Sequence, residues 1–97
     1  MIYLLATECD SYCKIGFTKN CPHKRLLAIQ VSCPLPLRLE DSMEGGIMVE
    51  NVLHQQLREW RVRGEWFHFN DEVRSAFSEW KLSTVEKVRR FMTEYKP

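Results

Sequence analysis

The distribution of hydrophobic and polar positions in the first half of the chain predicts three strands. Two short segments rich in β-branched and aromatic residues are typical of strands: IYLLAT at 2–7 and YCKIGF at 12–17. The four residues between them, ECDS, fit a turn, so the pair is predicted to form a hairpin. Further along, LPLRLEDSM at 35–43 alternates apolar and polar residues, which indicates a strand with one buried face formed by Leu35, Leu37 and Leu39.

A helix is predicted between the hairpin and the third strand. Asn20 or Cys21 can cap its start, and Pro22 suits its first position because that position needs no backbone N–H donor. The helix is expected to end near Ile29 or Val31, since the sequence SCPLP that follows cannot continue it.

The second half of the chain shows the spacing of helices. A helix over 47–60 would bury the stripe Val49, Val52, Leu53, Leu57 and Trp60. The segment RVRGEWFHF at 61–69 contains a glycine turn and a short aromatic extended piece. Asn70 is expected to cap the next helix, and Ser83 or Thr84 to cap a last one with the stripe Val85, Val88, Met92 and Tyr95.

This order of elements predicts an α+β fold with a small, mostly antiparallel three-stranded sheet, flanked by helices and extended by further C-terminal helices. The 97 residues are enough for one domain and too few for two independent cores. We expect residues 1–69 to form the core and residues 70–97 to pack on it as a helical extension. Hydrophobic residues make up 44% and charged residues 28% of the chain, which are ordinary globular values and exclude a disordered protein.

Charge and cysteine content narrow the functional classes. The formal net charge is +1, so any affinity for phosphate must come from local clusters. No apolar run reaches transmembrane length, and MIYLLATE is unlike a signal peptide, so we expect a cytoplasmic protein with no membrane partner. The four cysteines are expected to be thiols; a zinc site is an alternative, although the chain has no Cys-x-x-Cys pair.

One face of the predicted hairpin combines unusual side chains. If ECDS forms the turn, Tyr3 faces Gly16 and Leu5 faces Lys14, so that Tyr3 and Lys14 become diagonal neighbours on one face. Gly16 would leave a vacancy beside the phenol of Tyr3. A slip of one residue would put Tyr3 and Lys14 on opposite faces, so the expectation depends on the register.

The later helices carry groups that can complete a phosphate site. Arg25 can bind a phosphate through two parallel hydrogen bonds, and Lys19 and Lys24 lie nearby. Glu50 lies at the margin of the apolar stripe of its helix, where a carboxylate either partners a buried cation or binds a metal. His54, one turn further on, is either a half-buried structural histidine or a supporting group of the site.

Together these residues resemble the GIY-YIG nuclease superfamily, and in particular its small phage and bacterial T5orf172 branch, related to the Mug113 domain. The resemblance covers residues 2–69. The first motif stands here as Ile2-Tyr3, with Met1 in place of the family's glycine, and the second as Lys14-Ile15-Gly16. The later signature comprises Glu50, Leu53-His54, Arg63 and Gly64-Glu65-Trp66-Phe67.

The resemblance implies an endonuclease that hydrolyses DNA phosphodiester bonds with one divalent cation, Mg²⁺ or Mn²⁺. Tyr3 would be the phenol of the first motif, Lys14 would replace the second tyrosine, and Arg25 would be the motif arginine. Glu50 would hold the metal, with His54 supporting it. Either Tyr3 or Lys14 would be the base, because a phenol is a poor base at neutral pH unless a cation lies beside it.

A second hypothesis is a weakly active or inactive scaffold that binds nucleic acid or a protein. It is favoured by Ile29, which stands one turn after Arg25, where several of these nucleases carry a catalytic Tyr or His. A protein partner would then supply DNA affinity, in the host cytoplasm if a phage encodes the chain. Trp66 and Phe67 would either plug the core or stack on bases. The residues expected to track a phosphate backbone are Lys19, Lys24, Arg61 and Arg63.

Overall fold

A computed structural model describes the backbone of residues 1–94 and the side chains of residues 1–83. Within these residues the chain forms one five-stranded sheet, three α-helices and a short 3₁₀ turn. The strand order is β3-β1-β2-β5-β4, and all neighbouring strands are antiparallel. The elements are β1 (Ile2–Thr7), β2 (Tyr12–Phe17), α1 (Pro22–Gln30), β3 (Leu37–Met43), α2 (Ile47–Gln56), the 3₁₀ turn (Arg58–Trp60), β4 (Arg61–Arg63), β5 (Trp66–His68) and α3 (Asp71–Glu94).

The β1–β2 hairpin forms with the predicted register, in which Tyr3 lies opposite Gly16. Its turn is fixed by the hydroxyl of Thr7, whose Oγ1 accepts hydrogen bonds from the backbone N–H groups of Ser11 at 3.2 Å and Tyr12 at 3.1 Å. A turn held at both ends prevents the strands from slipping by one residue, which would exchange their two faces. The hairpin prediction is therefore confirmed together with its register.

The sheet has five strands where the sequence predicted three. The additional strands are β4 and β5, and β5 pairs with β2 by placing Trp66 opposite Lys14 and His68 opposite Tyr12. Gly64 adopts a left-handed φ of 54° in the β4–β5 turn, a conformation that costs glycine little. The prediction of a glycine turn and an extended piece at 61–69 is confirmed. Three-residue strands are too short to show alternation, so their membership in the sheet could not be read from the pattern.

Both faces of β1 are buried, against different elements. On one face, Ile2 and Leu4 join the larger core cluster, which includes Leu53 of α2 and Phe77 of α3. On the other face, Tyr3 and Leu5 form a smaller cluster with Leu37, packed against Leu26, Ile29, Cys33, Leu39 and Trp66. Helix α1 therefore covers the face that carries Tyr3, while α2 and α3 cover the opposite face.

Some helix and strand boundaries differ from the prediction. Helix α2 ends at Gln56, and the 3₁₀ turn Arg58–Trp60 replaces its expected last turn. Val52 is 44% exposed and does not belong to the buried stripe. Leu35 precedes β3 and is 38% exposed, because the chain enters the sheet only at Leu37. Helix α1 begins at Pro22 and ends at Gln30, as expected, although Cys21 caps it without a side-chain hydrogen bond.

The C-terminal region is one helix, α3, so the prediction of a second helix starting at Ser83 or Thr84 was wrong. Serine and threonine favour helix starts but do not end a helix when neither glycine nor proline accompanies them. The cap at Asn70 is confirmed, since its Oδ1 accepts a hydrogen bond from the backbone N–H of Val73 at 2.9 Å. The expected stripe of the last helix lies outside the described residues. This applies to the side chains of Val85, Val88 and Met92 and to the whole of Tyr95.

Candidate active site

The phenol of Tyr3 lies directly over Gly16. Tyr3 is only 1% exposed, and a Cβ atom placed on Gly16 would lie 2.5 Å from Cζ of Tyr3. The sequence predicted a vacancy beside the phenol, which is wrong, because the ring itself occupies the space that the missing side chain leaves. Gly16 is therefore needed for the close approach of the ring to the backbone.

Lys14 and Glu65 form an ion pair on the same face of the sheet. The Lys14 side chain is 12% exposed and that of Glu65 is 41% exposed. The backbone carbonyl of Glu65 also accepts a hydrogen bond from the N–H of Ile15 at 3.1 Å, which fixes the turn after Gly64 against β2. A Cβ atom on Gly16 would lie 3.1 Å from Oε2 of Glu65, so the carboxylate and the phenol of Tyr3 meet above the same glycine.

Glu50 reaches this cluster from α2 and hydrogen-bonds Glu65. Desolvation, followed by the hydrogen bond and negative charge of Glu65, raises the pKa of Glu50 to about 7, although Lys14 opposes the shift. Desolvation also acts to raise the pKa of Glu65, but its hydrogen bonds and the charges of Lys14 and His54 outweigh it and lower that pKa. Glu50 therefore holds the proton of the carboxyl pair, and Glu65 is the ionised partner of Lys14.

Arg25 approaches the cluster from α1. Its exposed guanidinium hydrogen-bonds the phenol of Tyr3, and this contact, with a smaller contribution from Glu65, raises the pKa of Arg25 against the effect of desolvation. The guanidinium stays charged and presents its remaining donors to solvent.

His54 links α2 to the middle of the sheet. Its Nε2 lies 2.8 Å from the backbone carbonyl oxygen of Ile15 and 3.8 Å from Oε1 of Glu50. The imidazole also packs edge-on against Phe67, with ring centroids 5.1 Å apart. These contacts hold the helix that carries Glu50 against β2, and they commit Nε2 to a backbone acceptor.

The structure brings together all five residues that the sequence selected for catalysis, namely Tyr3, Lys14, Arg25, Glu50 and His54. It adds Glu65, which contacts Lys14 and Glu50 and interacts through its charge with Arg25 and His54. Glu65 and Tyr3 both lie above Gly16. Glu65 was quoted in the Gly64-Glu65-Trp66-Phe67 signature but was assigned no role. The available signal was its position directly after a turn glycine, beside residues already assigned to the site.

The four cations expected to contact a phosphate backbone occupy different positions. Lys19 and Lys24 are exposed, in the loop before α1 and in its first turn. Arg61 donates from Nε to the carbonyl of Gly64 at 2.8 Å and so closes the β4–β5 turn. Arg63 lines a groove of about 670 Å³, which Lys14 and Arg25 also line. Of these four cations, Arg63 is therefore the one that lines the same groove as Lys14 and Arg25 of the cluster.

The donor set of the cluster suits a hard cation held by few protein ligands. Within the described residues, His, Cys, Asp and Glu side chains form no group of three or more able to hold a metal ion, and the four cysteines are free thiols. Glu50 and Glu65 nevertheless bring carboxylate oxygens into contact, and Mg²⁺ is commonly held by one or two carboxylates with water and phosphate at the other positions. The pair fits such a cation, because a cation can replace the proton that the two carboxyls share.

A comparison with protein families assigns the chain to a class. The T5orf172 domain model matches residues 1–93, and the chain belongs to the T5orf172 family. This family is associated with nuclease-type domains of the GIY-YIG kind, so the chain is a nuclease-like domain of a family linked to nucleic-acid binding. Searches of curated proteins and of solved structures returned no match. None of the helices in the described part of the chain has the length and apolar character needed to cross a membrane.

Proposed function

We propose that the protein is a divalent-metal-dependent endonuclease that hydrolyses DNA phosphodiester bonds. One observation carries the proposal. A phenol from β1, an ammonium from β2, a guanidinium from α1 and a carboxyl from α2 lie in one connected cluster around Glu65. Hydrolysis of a phosphodiester requires charge stabilisation at the phosphoryl oxygens and a group that accepts a proton from water, and this cluster offers both.

Glu50, with Glu65 beside it, would hold the divalent cation. Bound there, Mg²⁺ or Mn²⁺ would supply neutralisation of phosphate charge and lower the pKa of a water molecule. Deprotonation of Glu50 is needed first, since a protonated carboxyl is a poor ligand. Lys14 favours this step, because its positive charge acts to lower the pKa of Glu50.

The remaining groups would act directly on the substrate. Arg25 would bind a non-bridging phosphate oxygen, since its guanidinium is exposed and charged. Lys14 is paired with an ionised carboxylate, which favours its role as a fixed cation over that of a base. Tyr3, held over Gly16 and hydrogen-bonded by Arg25, would then accept or relay the proton of the attacking water.

The test is cleavage of supercoiled plasmid DNA with Mg²⁺ or Mn²⁺, compared with the same reaction in a chelator. We expect nicking by the wild-type protein and none by Glu50→Gln, which keeps the size of the side chain but cannot ionise to a carboxylate. Glu59→Gln, at an exposed position of the 3₁₀ turn, is the matched control and should cleave normally. Retained helix content by circular dichroism would show that Glu50→Gln remains folded. Normal cleavage by Glu50→Gln would remove Glu50 from the mechanism.

A second candidate function is a nucleic-acid-binding module with weak or no catalysis. The acidic groups of the cluster are engaged with one another and with Lys14, because Lys14 is paired with Glu65, and burial together with Glu65 raises the pKa of Glu50 to about 7. Ile29 packs in the smaller apolar cluster and brings no proton-transfer group one turn after Arg25. This candidate predicts no cleavage with any divalent metal, but DNA binding that weakens as salt rises, directly or through a protein partner.

A further inference from the structure

The groove beside the candidate site has an apolar lining. Ile29 and Leu35 line it from the side of α1 and the loop that follows, and Val62 and Trp66 line it from the β4–β5 hairpin. Trp66 is half-buried: part of its indole packs against the cluster of Tyr3, Leu5 and Leu37, and the rest borders the groove. An aromatic side chain therefore borders a cavity that is open to solvent.

The charges of the groove are of one sign. Lys14, Arg25 and Arg63 line it, and no aspartate or glutamate is among the residues that do. A groove lined by apolar residues and by cations favours a ligand that has a flat, apolar part and a negative charge. A volume of about 670 Å³ is in the range of cavities that enclose a small organic ligand, so a nucleobase with its sugar can fit within it.

The groove is continuous with the cluster, because Lys14 and Arg25 belong to both. A phosphate bound by Arg25 would therefore have the groove as its neighbour. The chemical group that DNA attaches next to a phosphate is a sugar with its base. A paired base must first be unpaired and unstacked to enter such a cavity, which costs about a few kcal/mol, whereas a base that is already unpaired avoids most of this cost.

We propose that this groove binds an unpaired nucleobase of the DNA strand, stacked on Trp66, next to the phosphate that Arg25 holds. The inference rests on the proposed function for the position of that phosphate. It adds the substrate class: single strands and DNA with unpaired nucleotides are bound in preference to continuous duplex. Stacking on an aromatic side chain is tolerant of base identity, so the groove selects strand structure and not sequence.

The experiment measures binding without metal, so that no cleavage is required. A DNA strand of about 12 nucleotides, within the usual size of single-strand sites, carries one 2-aminopurine and is titrated with the full chain in EDTA. Anisotropy reports affinity, and quenching of 2-aminopurine reports stacking. We expect the single strand to bind at least about tenfold more tightly than the same sequence as a blunt duplex, with quenching on binding.

Variants on α1 test the location. Ala28 is exposed and lines the groove, whereas Leu27, 67% exposed on the same helix, does not. Ala28→Glu and Leu27→Glu make the same change in charge, and we expect about a tenfold loss of single-strand affinity for the first and a clearly smaller loss for the second. Trp66→Leu keeps apolar bulk under the cluster and should remove most of the quenching. Trp80→Leu, on the opposite side of the sheet, is its control.

Several results would overturn the proposal: equal or tighter binding of the duplex, equal effects of the two glutamate variants, or quenching that survives Trp66→Leu. Absence of binding to any DNA would do so as well. A result that contradicts the nucleobase-binding groove can be told apart from one that contradicts the endonuclease function. A protein that passes these tests but never cuts keeps the groove and loses the endonuclease function. One that cuts continuous duplex without preference keeps the endonuclease function and loses the groove.

Discussion

Glu65 forms an ion pair with Lys14 across the boundary between β2 and the β4–β5 hairpin. Its carboxylate also accepts a hydrogen bond from the protonated carboxyl of Glu50, so one side chain connects the ammonium group of the sheet to the carboxyl group of α2. Two carboxyls side by side would repel each other if both were ionised, and Lys14 stabilises the ionised one. Glu65 thus pairs with Lys14 and acts to raise the pKa of Glu50.

Replacement of Glu65 should slow cleavage without unfolding the protein. Glu65→Gln removes the charge that holds Lys14, and misplacement of a catalytic group can cost about 10²-fold in rate. Single-turnover cleavage rates at saturating protein would measure the loss, with Glu59→Gln as the control of equal charge change. A rate equal to that of the wild type would show that the ion pair plays no part in the reaction.

Replacement of Gly16 should destabilise the fold through Tyr3. A Cβ atom there would lie 2.5 Å from Cζ of Tyr3, so the buried ring must move. We expect Gly16→Ala to lower the free energy of unfolding by about 1–3 kcal/mol, the usual cost of overpacking. Urea denaturation measures the change. Gly46→Ala is the control, because nothing lies within 4 Å of a Cβ atom at Gly46. Equal effects at the two glycines would contradict the role assigned to Gly16.

His54 should matter for stability more than its exposure suggests. His54→Ala leaves the carbonyl of Ile15 without the partner that now lies 2.8 Å away, and an unsatisfied buried acceptor costs about 1–3 kcal/mol. His23→Ala, at an exposed position of α1, should leave the free energy of unfolding nearly unchanged. If both variants unfold at the same urea concentration, the contact with Ile15 contributes nothing.

The raised pKa of Glu50 makes stability depend on pH. The folded protein holds this proton up to a pKa of about 7, whereas the ordinary value is 4.5, so the stabilising contribution is complete below pH 4.5 and is lost as pH rises through about 7. Glu50→Gln has no such proton. In metal-free buffer, the free energy of unfolding of the wild type relative to Glu50→Gln should therefore fall by about 1–3 kcal/mol between pH 4.5 and 8. A difference that stays constant over this range would show that Glu50 has an ordinary pKa.

Local sequence signals were sufficient for the hairpin and its face. A four-residue turn determines which residues oppose each other, so the sequence alone predicts Tyr3 opposite Gly16, as the structure shows. The content of that space was not predictable, because a missing side chain does not reveal whether solvent or a neighbouring ring fills it. Val52 was misplaced for a similar reason: helical spacing marks a stripe, but the packing partners decide where the stripe ends.

Features that depend on distant contacts were missed. The pairing of Lys14 with Trp66 joins segments far apart in the chain, and β5 is too short to show a period of its own. Glu65 follows from that pairing, since only the turn before β5 brings it above Gly16. The continuous helix through Ser83 shows the opposite error, in which a local cap signal was given more weight than the absence of a helix breaker.

The place of the β4–β5 hairpin in the sheet has a consequence for the polypeptide during its synthesis. Tyr3 and Lys14 leave the ribosome before Glu65, which lies much later in the sequence. Before β5 docks on β2, the nascent molecule has its phenol and its amine but lacks the acid that unites them. A polypeptide that ends before Glu65 should therefore never assemble the cluster that joins Lys14 to Glu50.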